Sequence, residues 1–216
     1  MDATLTDLDH LVIDPRRPLV IVDVDEVLAR FMAGLERYVG RHGYEMRITK
    51  FALFQNIFRV GEADHVDMPA GLELFNGFFR DGADDLEPAE GAADALADLS
   101  TRAEVVILTN APGHGREARA GWLARHGFDY PLVVNAGLKG PAAAVLSART
   151  SGASAFVDDL LPNLESVAES APAVTRFQMV ADERLRPMAP CAPDRHTRID
   201  EWPALKAAIE AAILPR

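Results

Sequence analysis

A doubly wound, mostly parallel α/β sheet with a helical subdomain inserted after its first strand is the architecture that the sequence predicts. Three observations carry it. Short β-branched apolar runs recur along the chain, segments of helical spacing alternate with them, and one interval of about sixty residues breaks the alternation. The 216 residues are 49% hydrophobic and 25% charged, as in a globular chain rather than a disordered one. That length suits one medium domain with an insertion.

After a polar lead that ends at Pro15 and Pro18, LVIVDV at 19–24 is the kind of run that a parallel sheet buries on both faces, and it reads as the first core strand. Similar runs follow: VVILTN at 105–110, PLVVN at 131–135, SAFVDD at 154–159 and VTRFQMV at 174–180. Each is closed by polar, Gly or Pro punctuation. Helical spacing occupies 89–99, 116–126 before Gly127, 141–148 before Gly152 and 164–170 before Pro172, and a last helix at 202–214 is expected to pack on the sheet. Such alternation predicts right-handed crossovers with helices on both faces.

Connections between a strand and its helix usually run roughly 2–6 residues, so the long interval after the first strand implies an inserted subdomain. We assign it to 30–86, beginning with a helix at 30–41, and leave 1–29 and 87–216 as the core. The insert holds seven of the ten phenylalanines, Phe31, Phe51, Phe54, Phe58, Phe75, Phe78 and Phe79. They are expected to form the insert's own small core, with a minority lining a pocket above the sheet.

Charge and cysteine content narrow the function classes. The balance of 33 acidic against 22 basic residues, a net charge of −11, disfavours nucleic-acid polymers and anionic membranes as partners. No apolar run approaches the ~18–20 residues that span a bilayer, and the start MDATLTDLDH carries acids where a secretory signal needs basic residues. The single cysteine, Cys191, excludes an intrachain disulfide and a CxxC metal or redox site, and it lies among prolines with no paired histidine expected beside it. A cytoplasmic, unanchored protein is expected, as a monomer or a homodimer. Trp122 and Trp202 read as core, and Arg184, Arg186, Arg195 and Arg198 as a solvated loop face.

Ligands of open α/β sheets sit beyond the carboxyl ends of the strands, so the residues that close each run are the candidates for chemistry. They are Asp23 and Asp25 after the first run, Thr109 and Asn110 after the second, Lys139 a few residues beyond the third, and Asp158 and Asp159 at the end of the fourth. Four converging carboxylates require a compensating cation, and an all-oxygen cluster suits Mg²⁺ rather than zinc. One carboxylate can then attack, while Lys139 and Thr109 supply the positive charge and the donor that a transferring phosphoryl group needs. The structural alternatives are strand-end aspartates that cap the next helix, Asp159 among them, and a surface lysine. Lys139, however, stands at a helix start before Gly140 and Pro141, where a cation is unfavourable, and this local cost points to a local use.

Asp23-Val24-Asp25-Glu26-Val27 after an apolar strand, Thr109 after VVIL, Lys139, and Asp158-Asp159 after SAFV together resemble the four motifs of the haloacid dehalogenase-like hydrolase superfamily, in order and spacing, over about 19–180. The resemblance implies that Asp23 is the nucleophile of an aspartyl-phosphate intermediate. It makes Asp25 the general acid and later the base, with its main-chain carbonyl helping to bind Mg²⁺. Asp158 would bind the metal directly, and Asp159 would support it through water or hydrogen bonds. Thr109 and Lys139 would hold the phosphoryl oxygens with main-chain N–H groups near Val24 and Asn110. An acid at position 25 favours phosphate esters over carbon–halogen bonds, and Glu26 stands where glycine is common.

The insert falls where this superfamily places a mostly helical cap. A weaker similarity, through Thr109-Asn110-Ala111-Pro112, Arg119, Trp122, Leu123, His126-Gly127 and Asp200-Glu201-Trp202, is to the small 5′-nucleotidases. The resemblance thus implies a Mg²⁺-dependent phosphomonoester hydrolase acting on a small soluble phosphorylated metabolite, with a nucleoside monophosphate first among the candidates. A phosphotransferase or a non-catalytic phosphate-binding member of the same fold are the alternatives. A signalling receiver domain would carry its phosphorylated aspartate on a later strand and has no place for the insert.

Overall fold

In the computed structural model, which describes residue 8 and residues 11–214, the first apolar run becomes strand β1 (Leu19–Val22). The start MDATLTDLDH lies, apart from Leu8, outside the described residues. The later runs become β4 (Glu104–Asn110), β5 (Leu132–Asn135), β6 (Ser154–Asp158) and β7 (Thr175–Gln178). A two-residue edge strand, β8 (Thr197–Arg198), completes a six-stranded sheet in the order β5-β4-β1-β6-β7-β8, with every pair parallel.

Burial on both faces explains the unbroken apolar runs. Val20 and Val22 of β1 join one hydrophobic cluster with Val105 and Ile107, while Leu19 and Ile21 join the opposite one with Val106 and Leu108. From β1 the chain moves outward through β4 and β5, then returns to β6 on the other side. The order reverses at β1, so the crevice beyond its carboxyl end is where such a sheet takes ligands.

Helices at Ala92–Ser100, Arg116–Arg125, Gly140–Ser147, Leu161–Ser170 and Trp202–Ile213 cover the two faces. Trp122 and Trp202 are buried, and their indole N–H groups donate to Leu86 O (2.8 Å) and Val27 O (3.0 Å). Both acceptors belong to the segments that lead into and out of the insert. Those segments run side by side: Arg30 N donates to Glu87 O (2.9 Å) and Ala89 N to Leu28 O (2.8 Å).

The insert is not wholly helical. Helix α1 (Phe31–Arg41) is followed by an antiparallel hairpin of β2 (Tyr44–Met46) and β3 (Ile57–Arg59), and then by α2 (Met68–Asp81). Strands of three residues show too little alternation to be read from sequence. Nor do the phenylalanines form a separate core. Phe31, Phe78 and Phe79 are buried in the same cluster as Val20 of the sheet and Leu96 and Trp122 of the helices that cover it. The close approach is made possible by Gly115, where an added Cβ would stand 2.7 Å from the Phe79 ring.

Candidate active site

The strand ends bring four charged side chains together. Asp23 follows β1, and its N–H donates to Val157 O (3.0 Å), which extends the β1–β6 register by one residue. Asp158 ends β6, Asp159 comes next, and both are buried with Asp23. A carboxylate oxygen from each of these three acids lies within 4.8 Å of the others.

Lys139 reaches the same point from the start of the Gly140–Ser147 helix. Its Nζ lies 2.6 Å from Asp23 Oδ1 and 2.7 Å from Asp158 Oδ2, and the side chain is 1% exposed. Glycine at 140 is what allows this approach, since a Cβ there would meet Ser166 O at 2.3 Å, and Gly140 N donates to Ser166 Oγ (3.1 Å). Asp158 also accepts from Leu160 N (2.9 Å) and from Asn163 Nδ2 (3.0 and 3.2 Å). It is thereby fixed in orientation.

Three buried carboxylates against one ammonium leave an excess of negative charge. Burial would by itself push the Lys139 ammonium down, but Asp158 and Asp23 outweigh that and hold it above the ordinary lysine value. Burial pushes the carboxyls of Asp158 and Asp159 up, and neighbouring carboxylates add to the rise. A hard cation among oxygen donors would remove that penalty, and the donor set fits a divalent ion of the Mg²⁺ type.

Asp25 is placed differently from the other three acids. Both of its oxygens accept from Arg119 Nη2, at 2.7 and 2.8 Å, so its side chain faces the Arg116–Arg125 helix and stands outside the three-acid group. Burial raises its carboxyl above the ordinary value, while Arg119 opposes the rise. Arg119 is itself 1% exposed, its Nε and Nη1 have no hydrogen-bond partner, and its guanidinium lies 5.0 Å from the centroid of Phe79 in the insert. In the sequence Arg119 figured only in the weaker of the two similarities.

Thr109 is fully buried and its Oγ1 has no hydrogen-bond partner. Asn110 Nδ2 donates to Gly137 O (2.9 Å), and its Oδ1 accepts from Asn135 Nδ2 (2.8 Å). Its side chain therefore shapes the loop that leads to Lys139.

Glu26 carries a structural role that its position only hinted at. Its φ of 59° lies in the left-handed region, where a glycine would sit without strain. In return its buried carboxylate accepts from Met32 N and from Asp182 N, both at 2.7 Å, joining the first turn of α1 to the loop after β7. Burial pushes this carboxyl up to about 7.

Two sequence expectations away from the site change. Cys191 Sγ lies 3.4 Å from His196 Nε2, which also contacts Gln178 Oε1 at 3.2 Å, so the cysteine has a histidine neighbour that the fold supplies from five residues on. The four loop arginines are no free basic face: Arg184 pairs with Asp182 and Glu36, Arg186 with Glu201, Arg195 with Glu165, and Arg198 with Asp200.

A cavity of about 220 Å³ opens above these residues, with Asp23, Asp25, Lys139 and Asp159 on its floor and side chains of the insert on its walls. Among the described residues no helix is long and apolar enough to cross a membrane.

Neither a family model nor a curated protein matches the chain in sequence. Solved structures match its fold. A conserved haloacid dehalogenase-like protein of unknown function from Agrobacterium tumefaciens is 17% identical, with a TM-score of 0.60 over 89% of this chain and 97% of that one. YfnB of Bacillus subtilis, described as a hydrolase of this type bound to magnesium, is 16% identical with a TM-score of 0.59 over 90% and 99%. CbbY of Rhodobacter sphaeroides, solved with xylulose 1,5-bisphosphate, is 15% identical with a TM-score of 0.51 over 86% and 95%. The chain has the haloacid dehalogenase-like fold.

Proposed function

We propose that the protein is a Mg²⁺-dependent phosphomonoester hydrolase that works through a phosphorylated Asp23. The observation that carries this reading is the buried group of Asp23, Asp159 and Lys139 on the floor of a cavity, with Asp158 buried behind them against Lys139 and the unpartnered Thr109 hydroxyl at the end of the neighbouring strand. In this reading Asp23 and Asp158 would hold Mg²⁺ through side-chain oxygens and Asp25 through its main-chain carbonyl, with Asp159 supporting the ion through water or hydrogen bonds. The bound ion supplies charge neutralisation that lets an anionic phosphoryl group approach an anionic nucleophile.

The rest of the chemistry belongs to the chain. Asp23 attacks phosphorus, the P–O bond to the alcohol breaks, and the alcohol oxygen takes its proton from Asp25. Burial keeps the Asp25 carboxyl above its ordinary value, which suits a donor, and Arg119 holds both of its oxygens so that its position is fixed. Lys139 and the Thr109 hydroxyl take phosphoryl oxygens, joined by main-chain N–H groups at Asn110. Water then attacks the phosphoryl group on Asp23 and gives its proton to Asp25, releasing phosphate and restoring both acids.

Residues 30–86 act as the cap that shields this step from bulk water, and 1–29 with 87–216 as the catalytic core. The substrate is a small soluble phosphorylated compound. A reducing, cytoplasmic setting fits a chain with one cysteine. The test is phosphate release from a panel of phosphomonoesters with and without Mg²⁺, beside Asp23→Asn. Turnover that needs Mg²⁺ and disappears in the variant supports the reading; metal-independent turnover, or full activity in Asp23→Asn, overturns it.

A further inference from the structure

The walls of the cavity above Asp23 are largely apolar. The insert contributes Phe31, Met32, Phe51, Leu53 and Phe75, and the core adds Leu185. Among the described residues Lys139 is the one basic side chain that lines the cavity, and it is already on the floor, paired with Asp23 and with Asp158.

The remaining polar groups on the wall are engaged. Glu26 accepts from two backbone N–H groups, Asn110 is tied to Gly137 and Asn135, and Asn163 is tied to Asp158. The lining is also fixed in place. Asn56, fully buried, donates to Lys50 O (2.9 Å) and Ala52 O (2.7 Å) and accepts from Thr49 N (3.0 Å), which pins the loop that presents Phe51 and Leu53.

A hydroxylated or heterocyclic leaving group entering this space would give up hydrogen bonds to water and find no side-chain partners above the floor, a loss that discriminates strongly. The space is small as well. At about 220 Å³ it falls below the roughly 300–1,000 Å³ of pockets that enclose drug-sized ligands.

We propose that the substrate is the monophosphate ester of a small, uncharged, apolar primary alcohol, with a branched alkyl or arylmethyl group seated among Phe31, Phe51, Leu53 and Phe75. This rests on the phosphomonoesterase reading above and replaces the nucleoside monophosphate that the sequence similarity suggests. The bond changes are those already given: the alcohol's P–O bond breaks as the bond to Asp23 forms, and the alcohol leaves with the proton of Asp25.

The test compares isopentyl phosphate and benzyl phosphate with ribose 5-phosphate and uridine 5′-monophosphate in Mg²⁺. All four are esters of primary alcohols, so intrinsic reactivity is closely matched. Acetyl phosphate serves as a small phosphoryl donor that makes no use of the apolar wall. Each buried methylene is worth roughly fourfold in kcat/KM, so the apolar esters are expected to exceed the polar ones by about tenfold or more. Leu53→Asn is expected to shrink that ratio. Turnover of acetyl phosphate with equal or better use of the polar esters, or a ratio unmoved by Leu53→Asn, overturns the apolar leaving group and leaves the phosphatase reading standing. Failure to turn over any of the five compounds overturns both.

Discussion

Replacing Arg119 by leucine removes a buried cation, 1% exposed, while keeping an apolar side chain in its place. Two contacts of 2.7 and 2.8 Å to Asp25 disappear, together with the guanidinium 5.0 Å from the Phe79 ring. Breaking a buried ion pair by deleting one partner typically costs about 3–5 kcal/mol. Asp25 keeps 22% of its side chain exposed, so water replaces part of the lost interaction and the low end, about 3 kcal/mol, applies. For a domain of this size each kcal/mol moves the melting temperature by roughly 2–4 °C, which makes the expected fall about 6–12 °C.

Activity should respond in a second way. Arg119 opposes the burial-driven rise of the Asp25 carboxyl, so its removal raises that carboxyl further, and the alkaline limb of the kcat/KM profile moves to higher pH. Arg119→Lys retains the charge without the bidentate fork, so it should shift the limb less. Calorimetry and a pH profile on both variants check the argument. A melting temperature within about 1 °C of the parent, given the roughly 2–4 °C per kcal/mol expected, together with an unmoved limb in Arg119→Leu, refutes it.

Further outcomes follow from other residues. Thr109→Val removes a buried hydroxyl that has no partner, so thermal stability should hold or rise by about 1 kcal/mol, while kcat/KM falls at least about tenfold for want of a hydrogen-bond donor to the phosphoryl oxygens; a loss of stability with activity intact contradicts this. Burial raises Glu26 from 4.5 to about 7, so the folded chain holds a proton there that the unfolded chain has released between those values. That stabilisation is complete below about pH 4.5 and is lost as pH rises through 7. Urea unfolding with metal chelated should therefore show Glu26→Gln gaining on the parent from pH 5 to pH 8, and a constant difference speaks against it. Gly140→Ala forces a Cβ to 2.3 Å from Ser166 O and should cost about 2 kcal/mol or more while displacing Lys139; stability and turnover equal to the parent would contradict the packing described.

The parts of the molecule that could be read from sequence are those whose cause is local. Strands buried on both faces must be continuous apolar runs, and their ends must be polar, so Asp23, Thr109, Asp158 and the neighbourhood of Lys139 announced themselves at the edge of β1, β4, β6 and the loop after β5. The three-residue strands of the hairpin offered no period to detect. Contacts between distant segments left no local trace at all. Arg119 meets Asp25 across 94 residues and Glu26 meets Asp182 across 156, and neither partner is implied by its own neighbours. For Glu26 there was one usable signal, a bulky acid where glycine is common, which fits the left-handed backbone found there. The phenylalanines of the insert were legible as buried but not as shared with the sheet layer, since that depends on Gly115 admitting Phe79.

The central claim is that Asp23 carries the phosphoryl group. Acid quenching during turnover of a phosphomonoester in Mg²⁺, followed by peptide mass mapping, tests it most directly. The account predicts a phosphorylated peptide containing Asp23 that disappears on longer incubation and is absent from Asp23→Asn. Turnover with no phosphorylated intermediate at Asp23, or with the group on another residue, contradicts it.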